Sequence, residues 1–314
     1  MRARHHHYLS QCYLKGFTKG KAKKSKLTVV DFKERKNFET IPRNVGGIRD
    51  FNRIEIEGVD PNAIESALSE FEGNVASALK KLEEILDFSG ETKDLILNFF
   101  ALLGVRSPER REHIRQYEAE VIEKMMCLSL ESKERWEAQE AKKQEGNPEY
   151  ESNVTYEELK DFFDSKEYKI ELTTEHHIRN ESIMVEAILP CLYGRNWVLI
   201  QSTDETGPFI TTDNPVSLTW NEPEKIPPFY RASPGFGMGD TQVYFPVSKD
   251  LAMVGEFDKE DKTIIGNKEL VAILNTKMLH NTYKQIYAPK IGFHFYSKNG
   301  AILDGNRILN EINA

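Results

Sequence analysis

The spacing of apolar residues changes near residue 195 of this 314-residue chain, and that change limits the folds available to it. From Pro61 to about residue 195, apolar residues recur every three or four positions, the period of an amphipathic helix. From residue 196 onward they occur in short runs rich in β-branched and aromatic residues, separated by Pro and Gly. The pattern predicts an α+β fold in which a helical body over about 61–195 packs with a mostly antiparallel β-sheet.

Local signals set the bounds of the predicted helices. Asp60 and Pro61 form a good start for the first helix, and Thr155 with Glu158 form a capping box for a later one. The segment 131–152 is highly charged and poor in apolar residues; it fits an exposed helix end or a mobile connector, and we favour the connector. Helices are predicted over about 61–86, 91–104, 108–131, 155–165, 178–193 and 267–284.

The N-terminal segment adds a short helix and a hairpin. Apolar residues from Tyr8 to Phe17 have helical spacing, and the following alternation around a polar turn predicts strands at about 26–32 and 37–41. We expect this hairpin to join the sheet formed by the C-terminal part. The whole chain is predicted to be one domain over 1–314, with an N-terminal part at 1–57, a helical part at 58–195 and a β-rich part with a long helix at 196–314.

Composition bounds the functional class and the compartment. A net charge of -8 argues against binding nucleic acid over the whole surface, although Lys15–Lys26 is a local basic run. The three cysteines are widely spaced and offer neither a disulfide framework nor a metal-binding pair. No apolar run reaches the ~18 residues of a membrane span, and the N-terminus lacks the apolar region of a signal peptide. We therefore expect a cytoplasmic protein with no membrane partner.

The motif HHHYLSQCYLKGF near the N-terminus contains the first candidate site residues. Imidazoles serve as metal ligands and as proton carriers, which makes His6 and His7 candidate catalytic residues. The alternative is a polar cap on the N-terminal helix, or a buried histidine bonded to a carbonyl. Tyr8 and Lys15 are the accompanying candidates for binding substrate.

Further candidates lie near the ends of predicted elements. Asp213 and Asn214 follow a β-run and precede a proline, so both are ordinary turn formers. The functional alternative makes Asp213 a catalytic general base or metal ligand at a strand end, and Asn214 a residue that binds substrate. Arg106 follows the apolar helix and can bind a phosphate or carboxylate of a substrate, or pair with a nearby acid. Asn275, within the last long helix, either fixes the fold or contacts a substrate.

The order and spacing of several elements resemble one family. These elements are HHYLSQCYLKGF, the hairpin LTVVDFKERKNFETIPRNVGGIRDF, the helix ESALSEFEGNVASALKKL, NFFALLGVRSPERRE, FITTDNPV, YFPVSKDLAM and LNTKMLHNTYKQIY. Together they resemble the bacterial family known as domain of unknown function 4238 (DUF4238) over nearly the whole chain. Ser10 and Thr212 stand where that family usually has Pro and Ser. The resemblance implies a single bacterial domain of this architecture and supplies no mechanism.

The resemblance also bears on two residue assignments. Because HHY lies inside a matching element, His6, His7 and Tyr8 are expected to be native residues, not part of a tag. Glu72 lies in the middle of the matching acidic helix, and the resemblance alone makes it a candidate catalytic residue. The alternative for Glu72 is a solvated position on an amphipathic helix.

Two main functions of different classes stay open at this point, beside a transferase with a nucleotide donor, for which the sequence offers no donor motif. The first is a hydrolase, a nuclease or phosphodiesterase with a His/Asp site, toxin-like or acting in phage defence; any metal would be a divalent ion at His7 and Asp213. The second is a non-catalytic sensor or binding module for nucleic acid, a nucleotide or a partner protein. The chain contains none of the motifs GxxxxGK[ST], HExxH or GxSxG, so no standard reaction is indicated.

Overall fold

A computed structural model of the protein describes residues 5–20, 22, 24–232 and 234–311. The predicted α+β class is confirmed, since 47% of the described residues are helical and 18% lie in strands of antiparallel-rich sheets. Contacts divide the chain into two compact units: the residues before Pro108 together with those after Thr173, and Pro108–Thr173. The single domain over 1–314 stays a prediction.

The helices follow the apolar periodicity of the sequence. In chain order they are α1 Gln11–Leu14, α2 Ala63–Ile85, α3 Gly90–Val105, α4 Pro108–Ser129, α5 Lys133–Gly146, α6 Tyr156–Ser165, α7 Thr174–Tyr193, α8 Pro228–Arg231, α9 Lys268–His280 and α10 Ile308–Glu311. The predicted capping box is present at α6, where the side chains of Thr155 and Glu158 each bond to the backbone N–H of the other. Within the described residues, no helix combines the length and the apolar composition needed to cross a membrane.

The strands are short, as the runs in the sequence predict. In chain order they are β1 His5–His7, β2 Leu27–Asp31, β3 Lys36–Thr40, β4 Gly47–Arg49, β5 Asn196–Gln201, β6 Thr211–Thr212, β7 Ser217–Trp220, β8 Thr241–Pro246, β9 Leu251–Glu256, β10 Lys262–Ile265, β11 Gln285–Ala288, β12 His294–Tyr296 and β13 Ile302–Asp304.

The described strands form two larger sheets and two pairs. The five-stranded sheet has the order β10-β5-β9-β8-β7, in which β10 runs parallel to β5 and the other neighbours are antiparallel. The four-stranded sheet has the order β3-β2-β11-β6 and is antiparallel throughout. The remaining strands pair as β1-β4 and β12-β13. The N-terminal hairpin, β2-β3, therefore joins strands of the C-terminal part, as predicted, and does so in the four-stranded sheet.

Aromatic packing attaches the N-terminal motif to the five-stranded sheet. Tyr13 of α1 stacks on Phe245 of β8 with ring centroids 5.2 Å apart, and Phe100 of α3 lies 4.5 Å from the same ring. The Tyr13 hydroxyl donates to the carbonyl of Pro246 at 2.7 Å and lies 2.7 Å from the Thr211 hydroxyl. A buried phenol that keeps its hydrogen bonds stabilises a core without leaving a polar atom unpaired.

The prediction of a mobile connector over the charged segment 131–152 is wrong. Instead of a mobile connector, most of it is helix α5, which begins after Ser132, whose hydroxyl accepts a hydrogen bond from the backbone N–H of Arg135. Arg135 also pairs with Glu131, four residues earlier, at 2.5 Å. A helix that is polar on every face is stabilised by such caps and by charge pairs three or four residues apart. It has no periodic apolar stripe, so the spacing of apolar residues could not predict α5.

Candidate functional site

The histidine motif forms a strand, and the predicted N-terminal helix begins later, at Gln11. The strand His5–His7 pairs with Gly47–Arg49. His6 is fully buried, and its Nδ1 accepts a hydrogen bond of 3.0 Å from the backbone N–H of Asn52. A neutral ring with Nδ1 as acceptor carries its proton on Nε2. The Nε2 atom is therefore a buried donor, and it has no hydrogen-bond partner among the described residues.

One ring nitrogen of His7 makes a hydrogen bond to the main chain, and the other has only a long contact. Its Nε2 lies 3.2 Å from the carbonyl of Arg43, so this nitrogen donates. Its Nδ1 accepts only a long contact of 3.4 Å from the side-chain amide of Gln11. Burial lowers the pKa of His7 below its ordinary value of 6.5, and the charge of Arg106 acts in the same direction. The ring is thus neutral at pH 7, with Nδ1 available as an acceptor.

Arg106 connects the histidine strand to the end of α3. It follows the last residue of that helix and is only 4% exposed. Its Nη2 donates to the carbonyl of His7 at 3.0 Å, and its Cζ lies 5.9 Å from the centre of the Phe51 ring. A guanidinium has five N–H donors, and one of those on Arg106 holds the histidine strand.

Glu72 lies on α2, half-buried, close enough to Arg106 to be influenced by its charge. Burial raises the pKa of Glu72 above its ordinary value, while a hydrogen bond from Ser10 and the positive charge of Arg106 oppose the rise. The Ser10 hydroxyl also lies 2.9 Å from the Cys12 thiol. His7, Glu72 and Arg106, which we call the N-terminal cluster, are the predicted catalytic and binding residues that the fold brings to one region.

The side-chain carboxylate of Asp213 accepts hydrogen bonds from the main chain. Its carboxylate accepts hydrogen bonds from the backbone N–H groups of Tyr283, Lys284 and Gln285, at 3.0, 2.7 and 2.9 Å, and it is 2% exposed. The Gln285 side chain accepts a hydrogen bond from the Tyr287 hydroxyl, which is itself hydrogen-bonded with Tyr8. These contacts give Asp213 a structural role that differs from the local turn considered from the sequence, because its partners lie 70 to 72 positions away. Its catalytic role stays a prediction.

The two asparagines predicted to bind substrate also bond to the main chain. Asn275 is fully buried; its Oδ1 accepts from the N–H of Ile210 at 3.0 Å, and its Nδ2 donates to the carbonyls of Pro208 and His294. The Nδ2 of Asn214 donates to the carbonyl of Asn281 at 3.1 Å. Both arrangements join segments that are far apart in sequence, and substrate binding by these residues stays a prediction.

Lys15 lines a surface cavity of about 450 Å³, which Lys80 and Lys249 also line. Carboxylates accompany these lysines: Lys80 lies 3.8 Å from Glu84, and Lys249 bonds to Asp250 at 2.6 Å. Residues 21 and 23 of the basic run lie outside the described residues. Because the charges alternate, this surface gives little support to a nucleic-acid partner.

The predicted metal site has no support from ligand clustering. In the described parts of the chain, no group of three or more His, Cys, Asp or Glu residues has an arrangement that could hold a metal ion. Binding of a divalent ion at His7 and Asp213 stays a prediction, without support from this structure.

A cavity of about 510 Å³ lies between α2, α3 and α7, and we call it the three-helix cavity. Its walls are mainly apolar and include Leu68, Phe71, Leu102, Val185 and Leu189. These residues lie on the apolar stripes of their helices. A concave, mostly apolar site of this volume with a few polar groups is typical of small-molecule binding sites.

The polar lining of the three-helix cavity includes Arg106, Asn52, Glu181 and Glu186. Asn52 is 1% exposed; its Nδ2 donates to Glu65 at 2.8 Å, whereas its Oδ1 is buried and has no hydrogen-bond partner among the described residues. Of these four, the sequence predicted only Arg106. Glu181 had a detectable signal, since a carboxylate three residues after Ile178 falls on the apolar stripe of α7.

Comparisons with known proteins identify a family and no close relative. Residues 5–290 match the family described as "Protein of unknown function (DUF4238)". A search of curated proteins found no match, and a search of solved structures found none either.

Proposed function

The chain belongs to DUF4238, a family of proteins of unknown function, and we propose that it is a non-catalytic binding module for a small molecule. The observation that carries this proposal is the three-helix cavity, whose apolar walls end at the buried guanidinium of Arg106. Such a site fits a ligand with an apolar body and a charged end. The main-chain bonds of Asp213 and Asn275 favour binding over catalysis, because they occupy polar groups that a hydrolase would need at its substrate.

Filling the cavity tests this proposal. Ser182 and Ile183 are exposed neighbours on α7, but only Ser182 lines the cavity. Ser182→Phe should weaken binding of the apolar anion anilinonaphthalene sulfonate at least tenfold, because the new ring occupies the space of the ligand. Ile183→Phe should leave binding unchanged. Titration by fluorescence and calorimetry measures both, with a melting curve for each variant.

Equal binding of the probe by both variants would place its site elsewhere and contradict the proposal. Absence of saturable binding to the wild-type protein would contradict it as well.

Hydrolysis of phosphodiester bonds in RNA or DNA is the second candidate, and the geometry of His7 favours it. The Arg43 carbonyl orients a neutral imidazole whose Nδ1 has only a long contact, an arrangement suited to a general base. Glu72, with its raised pKa, would supply a proton, and Arg106 would bind a phosphate oxygen. We attach the toxin-like or anti-phage role to this second candidate, as an outcome of such cleavage.

If His7 is a general base, His7→Gln should reduce the cleavage rate about 100-fold or more with little change in melting temperature. His5→Gln, at the exposed position of the same strand, is the matched control. Because a base must be deprotonated and the pKa of His7 is lowered, wild-type activity should persist below pH 6.5 and fall in more acidic solution. Labelled RNA and DNA, with and without a chelator, are the substrates; no cleavage by the wild-type protein under any condition would reject this candidate.

A further inference from the structure

Helix α4 has an apolar face that is largely exposed. Its apolar residues recur at intervals of three or four, and we call this set the α4 stripe: Ile114, Tyr117, Val121, Met125 and Leu128. At the helical period these five positions fall within an arc of about 80°, so they form one continuous face. Tyr117 is 69% exposed, Met125 62%, Leu128 55% and Val121 37%. A contiguous exposed apolar face of this kind is typical of a protein–protein contact.

The α4 stripe is not the face that α4 packs within its own unit, Pro108–Thr173. Ala119 and Met126 are half-buried and Leu130 is buried, and all three lie on nearly the opposite side of the helix from the stripe. Helix α5 contacts α4, and the Tyr156 hydroxyl of α6 donates to the carbonyl of Leu130 at 3.1 Å. Helix α4 thus has a second apolar face, and packing within the unit leaves the stripe exposed.

The arrangement of the α4 stripe matches a second copy of itself. Its outer four residues form two pairs, at four and at seven positions on either side of Val121. When two copies of α4 run antiparallel about a two-fold axis at Val121, the members of each pair come to the same height, so each apolar residue meets an apolar residue. An axis moved to Tyr117 would instead set Ile114 level with Glu120.

The charges beside the stripe support the same arrangement. Glu120 and Lys124 are exposed and lie one turn apart along the same side of the stripe. Across the axis, Lys124 of each copy lies about 3 Å, two residues of helical rise, from the height of Glu120 of the other copy. The two copies together place two lysines and two glutamates in one neutral group. Complementary charges at the edge of an apolar contact favour this partner over other apolar surfaces.

We propose that two copies of this chain associate through the α4 stripe, with the two helices antiparallel and a two-fold axis at Val121. A closed two-fold contact uses the stripe of each copy once, which limits the assembly to a dimer. This association does not depend on what the three-helix cavity binds.

Sedimentation equilibrium of the full chain tests the proposal. The wild-type protein should sediment as a dimer, with twice the 36.2 kDa mass of the chain. Val121→Glu places two carboxylates together at the axis and should weaken dimerisation about tenfold or more. Cys127→Glu, at an exposed position of α4 outside the stripe, is the matched control and should leave the dimer unchanged. A melting curve for each variant checks that it is folded.

Charge exchange tests the antiparallel arrangement. Either Lys124→Glu or Glu120→Lys alone puts four like charges near the axis and should weaken the dimer about threefold or more. The double variant exchanges the two charges and should restore the wild-type affinity.

Four results would overturn the proposal. The first is a wild-type protein that stays monomeric up to its solubility limit. The second is a dimer that Val121→Glu leaves unchanged, or that Cys127→Glu weakens equally, because such a dimer uses another surface. The third is a double charge variant that associates no better than either single variant. The fourth is a monomer that binds phosphatidylcholine vesicles and loses this binding in Val121→Glu, which would assign the stripe to a lipid surface.

Discussion

Replacement of Asp213 by Ala is expected to lower the free energy of unfolding by about 3–5 kcal/mol, because three backbone N–H groups lose a charged acceptor. The carboxylate is 2% exposed, so water cannot replace it without rearrangement of the chain at 283–285. Urea unfolding followed by circular dichroism measures the change.

Two variants make this result specific. Asp213→Asn keeps the shape and one oxygen and should lose less stability than Asp213→Ala. Asp204→Ala, at an exposed aspartate, should stay within about 0.5 kcal/mol of wild type. Wild-type stability of Asp213→Ala combined with loss of a measured activity would instead make Asp213 a catalytic residue.

Arg195→Met is expected to destabilise the protein by a similar amount, about 3–5 kcal/mol. The guanidinium is 1% exposed and donates four hydrogen bonds: Nη1 to the carbonyls of Thr241 and Gly255 at 2.7 and 3.1 Å, and Nη2 to the carbonyl of Phe236 and the Thr241 hydroxyl at 2.7 and 2.8 Å. Methionine fills much of the volume but leaves three carbonyls, two of them in buried hydrogen bonds, without these donors.

The loss should be visible locally as well as globally. Because Arg195 holds the carbonyl of Phe236, the segment 234–241 should become more sensitive to proteases in Arg195→Met. Arg195→Lys keeps the charge but cannot reach all four acceptors, and should be intermediate. The control is Arg179→Met, at an exposed position of α7. If Arg195→Met matched this control in stability and protease resistance, the bonds of Arg195 would contribute little.

Secondary structure was predicted well wherever local periodicity was strong. The predicted hairpin strands, 26–32 and 37–41, differ from Leu27–Asp31 and Lys36–Thr40 by one residue at each end. The apolar helix at 91–104 agrees equally well with Gly90–Val105. Helix α5 was missed because its stability comes from caps and charge pairs, which leave no apolar period.

The candidate site was only partly predictable from the sequence. His7 and Arg106 were identified as chemically capable residues, and the fold joins them through one hydrogen bond across 99 positions. Asn52 carries no periodic signal, because it belongs to neither a helix nor a strand. Its place in the candidate site follows from the tertiary structure, which pairs its Nδ2 with Glu65 and leaves its Oδ1 without a hydrogen-bond partner among the described residues.

The sequence by itself determined the α+β class, most helices, the hairpin and the family, because each depends on spacing within a short segment or on the order of segments. Only the tertiary structure decided the environment of the polar residues. Asp213 meets N–H groups 70 to 72 positions away, and Arg195 meets carbonyls 41 to 60 positions away. A side chain's chemistry is encoded locally, but its partners, its burial and hence its role are set by distant segments that folding brings together.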